Sequence, residues 1–194
     1  MDEEKNAPAQ EEQSPLRRLW DRFGYLVVTV AVTLLVFGVL LMPAYVPSGS
    51  MEPTMPTRSF FLALRLPYLL GDPLPARQDI VVFYSGEMDE IMVKRVIGLP
   101  GETVSFDGGA VYVDGQALTE DYLPLGTLTE AQAGRETFTV PEGCVFVLGD
   151  HRSTSYDSRY WEEPFIPLSQ LKGRALVNIS LLPNTTWKGV RLLT

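Results

Sequence analysis

The residues best suited to nucleophilic chemistry lie in a proline-rich stretch from Pro47 to Met55, in which Ser50 directly follows Gly49. Proline lacks a backbone donor and restrains the residue before it, so this stretch is predicted to be a stiff, irregular turn. Gly49 would permit a close backbone approach or an unusual dihedral angle beside the hydroxyl. The turn could therefore present Ser50 as a nucleophile, and the competing interpretation is an ordinary linker.

Lys94 is the residue that could serve such a nucleophile as a base, because it lies inside the apolar run Met92–Val96. Alternate residues of a strand face opposite sides, so Lys94 and Arg95 cannot both point outward. If Lys94 is the inward residue, burial disfavours its charged form and lowers its pKa. Its neutral amine would then be a competent general base for a serine hydroxyl. A surface lysine on an edge strand is the alternative.

A third stretch, Gly149–Arg159, combines two aspartates, two arginines and four serines or threonines directly after an apolar strand. Such a density of complementary groups suits a hydrogen-bonded scaffold that holds neighbouring residues in place. A solvated loop is the competing interpretation.

Composition narrows the chemistry that the chain can support. The formal net charge of -8 argues against nucleic-acid binding, because such proteins normally carry a basic surface. The one cysteine, Cys144, excludes an intrachain disulfide and a multi-cysteine metal site, and its apolar neighbours predict a packed core thiol. The one histidine, His151, excludes a zinc site built from several histidines. We expect a protein that uses neither a metal nor a cofactor.

The element that precedes the serine stretch is an uncharged apolar segment, Tyr25–Met42, of 18 residues. That length is sufficient to cross the ~30 Å hydrocarbon core of a membrane. Three arginines precede the segment and the next basic residue is Arg58, so the positive-inside rule predicts a cytoplasmic N-terminus. A cleaved signal peptide would have a shorter apolar region and a small-x-small site, whereas Ala44-Tyr45-Val46 ends in valine. A buried core helix is a further alternative, which the flanking arginines disfavour.

The predicted organisation is a cytoplasmic tail at 1–22, a transmembrane anchor at 23–42 and an extracytoplasmic β-rich domain at 43–194. From Phe60 onward, short β-branched and apolar runs alternate with turn residues, as in Asp79–Tyr84 and Cys144–Leu148. Many short strands at this spacing predict a mainly β fold, an antiparallel barrel or sandwich. The region Tyr122–Gly134 has no clear period and is predicted to be a loop insertion.

In their order along the chain, these stretches resemble the motifs of bacterial type I signal peptidase, the leader peptidase family. Ser48–Met55 is similar to the serine motif, Gln78–Phe83 to the strand that follows it, Lys94–Glu102 to the lysine motif, and Gly149–Arg159 to the last motif. The resemblance spans roughly Phe23 to Ser180. His151 departs from the pattern, because the family usually has Asn at this position.

The resemblance implies a role for each motif residue. Ser50 would be the nucleophile, and Lys94 the general base that takes its proton and later protonates the leaving amine. The Ser50 backbone N–H and the Ser48 hydroxyl would form the oxyanion hole. Ser155 would orient the Lys94 amine, and His151 would be a hydrogen-bonding scaffold residue instead of a base. The remaining implied residues are two bracing ion pairs, Arg95 with Asp150 and Asp157 with Arg159, and the walls of shallow apolar pockets, Val46, Met51, Met55, Met92 and Val93.

The implied activity is that of a membrane-bound serine endopeptidase of the bacterial plasma membrane, which removes signal peptides from exported preproteins after Ala-x-Ala-like sites. Its partners would be preprotein signal peptides, membrane lipid and the secretion translocon. Ser50 lies eight residues past Met42, so it stays within ~29 Å of that end of the anchor. Leu181–Pro183, Trp187, Phe60, Phe61 and Leu66–Leu70 are candidates for a surface that dips into the headgroups, with core packing as the alternative for each.

Three alternatives stay open from the sequence. The first is a specialised maturation peptidase of the same family with a single substrate. The second is a non-enzymatic, membrane-anchored β-rich envelope or binding protein, in which Ser50 is linker and Lys94 is surface. The third is a self-cleaving repressor with a similar Ser/Lys site, although a DNA-binding module and a basic face are missing.

Overall fold

The computed structural model describes residues 14–71, 74–181 and 188–193. Most of the predicted cytoplasmic tail, together with Leu182, Pro183 and Trp187, lies outside the described residues.

The N-terminal segment is one long helix, α1 at Pro15–Leu35, which continues as a π-helix at Val36–Leu40. Proline at the first helical position and the Ser14 hydroxyl, which accepts a hydrogen bond from the Arg17 N–H, begin the helix. From Phe23 onward its side chains are apolar on all sides and largely exposed, as expected of a helix whose surroundings are lipid. The helix begins eight residues before position 23, and strand β1 already starts at Leu41.

The strands, in chain order, are β1 Leu41–Tyr45, β2 Phe60–Leu64, β3 Ile80–Ser85, β4 Glu90–Gly98, β5 Thr103–Asp107, β6 Ala110–Val113, β7 Gln116–Ala117, β8 Thr137–Thr139, β9 Cys144–Leu148, β10 Phe165–Pro167, β11 Leu171–Ser180 and β12 Gly189–Leu192. A short helix, α2 at Leu66–Leu69, follows β2, and a 3₁₀ turn at Leu168–Gln170 precedes β11.

These strands form two antiparallel sheets. The larger sheet has the order β1-β2-β11-β3-β4-β9-β10, with β12 also paired to β11, and the smaller sheet has the order β7-β6-β5-β8. The prediction of a mainly β, antiparallel fold behind one apolar helix is confirmed. The pairing of β4 with β9 extends only from Arg95 to Gly98, so the first half of β4 lies beyond the end of β9.

Both faces of the larger sheet are covered, which explains why its central strands are continuously apolar. Val81 and Phe83 pack in one cluster with Trp161, whereas the neighbouring Ile80 and Val82 pack in another. A third cluster fills the space between the two sheets, with Phe146 and Leu148 of β9 facing residues of β5, β6 and β8. Strand β4 is therefore enclosed on both faces where Lys94 and Arg95 lie, and both side chains are buried.

Three strands were not predicted. The apolar residues of β1 continue the anchor without a break, and Pro43 argues against a strand, although proline is tolerated in this edge position. β10 is three residues long, with Pro164 before it and Pro167 as its last residue, and β12 is four residues long. The prediction that Tyr122–Gly134 contains no regular element is confirmed.

Candidate active site

The turn that carries Ser50 is closed at its base by two backbone hydrogen bonds, from Val46 N to Ser59 O at 2.9 Å and from Arg58 N to Val46 O at 2.8 Å. The Met51 and Met55 side chains are buried in the core cluster beneath it. The turn is thus irregular but firmly packed, as predicted, and it leaves Ser50 half-exposed.

Glu52 braces the same turn from within. Its carboxylate accepts hydrogen bonds from the Thr57 hydroxyl at 2.7 Å and the Thr57 N–H at 3.1 Å. These bonds favour the ionised form and lower the pKa of Glu52. Glu52 and Thr57, which lie on either side of Pro53 and Pro56, are therefore held together.

The close backbone approach expected at Gly49 occurs instead at Gly149. A Cβ on Gly49 would lie 3.4 Å from the nearest atom, Glu52 Cδ, which is an ordinary contact. A Cβ on Gly149 would lie 2.1 Å from Ser155 Oγ and 2.5 Å from the Ser50 carbonyl oxygen. The expectation for Gly49 was wrong. The close approach to the Ser50 backbone is made by Gly149, about 100 residues further along the chain, and local sequence does not reveal such a contact.

Lys94 is the buried base candidate, with only 1% of the residue exposed. Its Nζ donates a hydrogen bond to Ser155 Oγ at 3.0 Å. Burial lowers the pKa of Lys94 to about 8; Asp157, Asp150 and Glu90 raise it, and Arg159 lowers it further. The amine therefore has a substantial neutral fraction near pH 8, which an ordinary surface lysine lacks.

Arg95 points to the opposite side of β4, where it forms a bidentate ion pair with Asp150. The Nε–Oδ1 distance is 2.8 Å and the Nη2–Oδ2 distance is 2.5 Å, with both side chains almost fully buried. Two parallel hydrogen bonds to a carboxylate fix orientation as well as distance. This ion pair fixes Asp150, the residue after Gly149, relative to β4, the strand that carries Lys94.

The loop Gly149–Arg159 is a buried scaffold and not a solvated loop. Arg159 Nε and Nη2 donate to Asp157 Oδ1 and Oδ2 at 2.8 and 2.9 Å. Asp157 Oδ2 in turn accepts from the Gly149 N–H at 3.0 Å. The Ser155 carbonyl accepts from Arg159 Nη2 at 3.4 Å. The loop is thus held to itself at the position of Ser155.

His151 lies against the serine turn through its backbone and its ring. Its N–H donates to the Ser50 carbonyl at 3.0 Å, and Nδ1 lies 3.3 Å from the Gly49 carbonyl oxygen. An Nδ1–H that donates to that carbonyl would fix the orientation of the ring against the serine turn.

A cavity of about 270 Å³ opens beside Ser50. Its lining includes all five residues predicted to wall the pockets, Val46, Met51, Met55, Met92 and Val93, together with Ser48, Ser50, Pro47, Glu90 and Ile91. The first half of β4, which extends past the end of β9, forms one wall of this cavity. In the described part of the chain, the Ser50 N–H and hydroxyl have no hydrogen-bond partner.

Four residues beside the loop had no role predicted from the sequence. Arg152 donates hydrogen bonds to Glu120, Tyr122 and Thr129, and Tyr122 also donates to Glu120. Tyr122 and Thr129 lie in the predicted insertion, where the sequence offers no periodic signal. Arg152 lies inside the last motif, so its charge was the one available indication. Among the described residues there is no cluster of three or more His, Cys, Asp or Glu side chains that could hold a metal ion.

Comparison with known proteins gives a consistent result. The family model described as "Signal peptidase, peptidase S26" matches residues 19–179. A probable signal peptidase I-2 of Synechocystis sp. is 34% identical over 182 residues, which cover 90% of this chain and 80% of the relative. A signal peptidase I of Bacillus caldolyticus is 34% identical over 81% of this chain and 87% of its own. A crystal structure of a signal peptidase I from Enterococcus faecalis is 37% identical, covers 52% of this chain and 95% of its own, and has a TM-score of 0.43.

Proposed function

The chain belongs to the peptidase S26 family of signal peptidases, and we propose that it is a membrane-bound serine endopeptidase that cleaves signal peptides with a Ser50/Lys94 dyad. Cleavage of signal peptides follows from the family. The observation that carries the dyad is the buried Lys94 amine, which is hydrogen-bonded to Ser155 Oγ in a loop packed directly against Ser50.

The proposed reaction begins with the neutral Lys94 amine. It takes the Ser50 proton as Oγ attacks the scissile carbonyl, and the resulting ammonium then protonates the leaving amine. The acyl group stays on Ser50 until a water, deprotonated by Lys94, releases it. Burial, and to a smaller extent Arg159, disfavours the ammonium, so the amine is neutral when it must accept the proton and readily gives the proton back.

Oxyanion stabilisation is proposed to come from the Ser50 N–H and the Ser48 hydroxyl. Both residues line the cavity beside the nucleophile. Donors aimed at the position where negative charge develops are typically worth about 10²–10³ in kcat each.

The cavity favours a substrate with small side chains. Its volume of about 270 Å³ and its methionine and valine walls suit alanine better than larger or charged residues. The first half of β4 is paired with β3 on one edge, and its other edge, which extends beyond β9, could bind the extended residues before the cleavage site by backbone hydrogen bonds. Together these features support the Ala-x-Ala-like specificity.

We also propose the membrane arrangement. The helical segment of 26 residues is about 39 Å long, with arginines at its first turns, so a cytoplasmic tail and an extracytoplasmic catalytic domain at 43–194 agree with the positive-inside rule. Membrane lipid and the secretion translocon are the proposed partners besides the preprotein. A headgroup surface is supported by exposed apolar side chains, Phe60, Leu66, Leu69, Leu70 and Leu181. Phe61 does not belong to it, since it is 1% exposed and packs in the core.

The decisive experiment compares the wild-type protein with Ser50→Ala and Lys94→Ala in detergent, using a preprotein with an Ala-x-Ala site as substrate. We expect the wild-type protein to release the mature product and both variants to fail with unchanged circular dichroism. Lys94→Arg should fail as well, because guanidinium stays protonated. Substantial cleavage by either alanine variant, free of host peptidase, would refute the dyad. Testing several preproteins distinguishes a general signal peptidase from a single-substrate relative.

A further inference from the structure

Three buried arginines hold the loop Gly149–Arg159, called here the catalytic loop. Each of them also contacts the segment Glu120–Glu130. Arg95 lies under the Tyr122 ring, with Cζ 3.7 Å from the ring centroid. Arg152 forms an ion pair with Glu120, and Arg159 Nη1 donates to the Glu130 carbonyl at 2.9 Å. The segment that lacks any regular element is therefore attached to the loop at three separate points.

Arg152 connects this segment to the most crowded point of the site. Its Nε donates to the Gly149 carbonyl at 3.0 Å, and its Nη1 donates to Thr129 Oγ1 at 2.6 Å. Both terminal nitrogens reach the Glu120 carboxylate, at 2.5 and 3.0 Å. The Arg152 side chain is fully buried, so its charge depends on Glu120 for compensation.

Tyr122 joins two of these attachments. Its ring stacks on the Arg95 guanidinium, which is paired with Asp150, while its hydroxyl accepts from Arg152 Nη2 at 3.1 Å and donates to Glu120 Oε1 at 2.5 Å. Burial raises the pKa of Tyr122, so the phenol stays neutral and keeps its proton for Glu120. The Tyr122 side chain thus contacts both Arg95 and Arg152.

We propose that the segment Glu120–Glu130 positions the catalytic loop, with Tyr122 and Glu120 as positioning residues that keep Ser155 Oγ against the Lys94 amine. The inference rests on the proposed Ser50/Lys94 dyad. Neither residue lines the cavity beside Ser50 within the described part of the chain, so the segment acts on the base and not on the bound substrate. Its effect should appear in kcat and in the titration of Lys94 instead of in KM.

Loss of this support would expose Lys94 to water. The charged groups around the amine are Asp157, Asp150, Glu90 and Arg159, and all except Glu90 belong to the loop that the segment holds. If the loop loosens, solvent relieves the burial that lowers the pKa of Lys94, and the pKa moves back toward its ordinary value of 10.5.

The first test measures cleavage kinetics of Tyr122→Ala, Tyr122→Phe and Glu120→Gln in the full-length protein. We expect Tyr122→Ala to lower kcat by about 10- to 100-fold, because misplacement of a catalytic group by about 1 Å costs up to ~10²-fold, while KM changes little. Tyr122→Phe keeps the ring on Arg95 and should fall between Tyr122→Ala and the wild type. Tyr112→Ala, a similarly half-buried tyrosine on β6, is the matched control and should keep kcat.

The second test needs no activity. In a Ser50→Ala background, the Lys94 amine is titrated by NMR of ¹³Cε, and Tyr122→Ala or Glu120→Gln should move the midpoint to higher pH. An unchanged kcat and midpoint in both variants would overturn the positioning role, even if the melting temperature falls. If Tyr122→Ala does not fold, Glu120→Gln decides. Failure of the dyad itself is distinguishable, because Lys94→Ala would then retain cleavage while the NMR shift in Tyr122→Ala could still occur.

Discussion

Replacement of Gly149 by alanine should disable the site through three atoms. The added Cβ would lie 2.1 Å from Ser155 Oγ, 2.5 Å from Ser155 Cβ and 2.5 Å from the Ser50 carbonyl oxygen. Gly149 does not have a positive φ, so alanine brings no backbone strain, and the effect is purely steric. A glycine-to-alanine change at a compatible backbone would otherwise stabilise the protein by about 0.4–1 kcal/mol.

The magnitude follows from these distances. Real Cβ atoms are essentially never found closer than 3.0 Å to another atom, so Ser155 Oγ must move by about 1 Å. Its hydrogen bond to Lys94 Nζ, now 3.0 Å, would lengthen beyond about 3.5 Å and be lost. The Ser50 carbonyl must also shift, which turns the nucleophile. We expect kcat to fall by ~10²-fold or more, since misplacement on this scale has that cost.

The assay is preprotein cleavage in detergent with kcat and KM measured separately, and with the melting temperature recorded for each variant. Gly86→Ala is the matched control, because Gly86 lies in an exposed turn after β3 and its added Cβ would meet nothing within 4 Å. Gly149→Ala combined with Ser155→Ala should cost less than the product of the two single losses, since both changes remove one contact. If kcat of Gly149→Ala stayed within about threefold of the wild type, the steric explanation would be refuted, because it requires a loss of ~10²-fold.

Three further outcomes are expected. Because burial lowers the pKa of Lys94 to about 8, kcat/KM should rise about tenfold per pH unit below pH 8 and level off above it. At pH 7 about 10% of the amine is neutral, against about 0.03% for an ordinary lysine. An acid limb near pH 10 would contradict the lowered pKa of Lys94. His151→Asn should keep most activity and the same acid limb, because the ring contacts the Gly49 carbonyl; a loss of ~10² or more with the limb erased would mean that His151 is the base. Protease added to spheroplasts should digest the domain at 43–194 and spare the tail, and a protected domain would reverse the proposed orientation.

Local patterns in the sequence predicted much of the fold. The β-branched runs of β3, β4 and β9 are properties of consecutive residues, and these strands formed where they were expected. The apolar helix also formed, but it begins at Pro15 and gives way to β1 at Leu41. The short strands β10 and β12 were not foreseen, because each is stabilised by pairing with β9 or β11 instead of by its own residues. Sheet order depends on the same pairings and cannot be read from any single segment.

The candidate site follows the same division. The residue types pointed to Ser50 and Lys94 before any contact was known, and the family resemblance implied Ser155 as the partner of Lys94. The structure brings Ser155 Oγ to 3.0 Å from Lys94 Nζ. The side of β4 on which Lys94 lies was open, because period-two alternation says only that Lys94 and Arg95 face opposite ways. The structure buries both, since each face of β4 is covered at that point.

What the sequence by itself determined was therefore the candidate residues, most of the strands and the long apolar helix, because residue type and local period carry that information. What only the tertiary structure decided was which residues support the chemistry. Gly149 touches Ser50 across about 100 residues, and Tyr122 reaches Arg95 from a segment without any period. Such contacts depend on how the chain closes long loops. The buried arginines donate to whichever carboxylate or carbonyl, and stack on whichever ring, the fold places beside them.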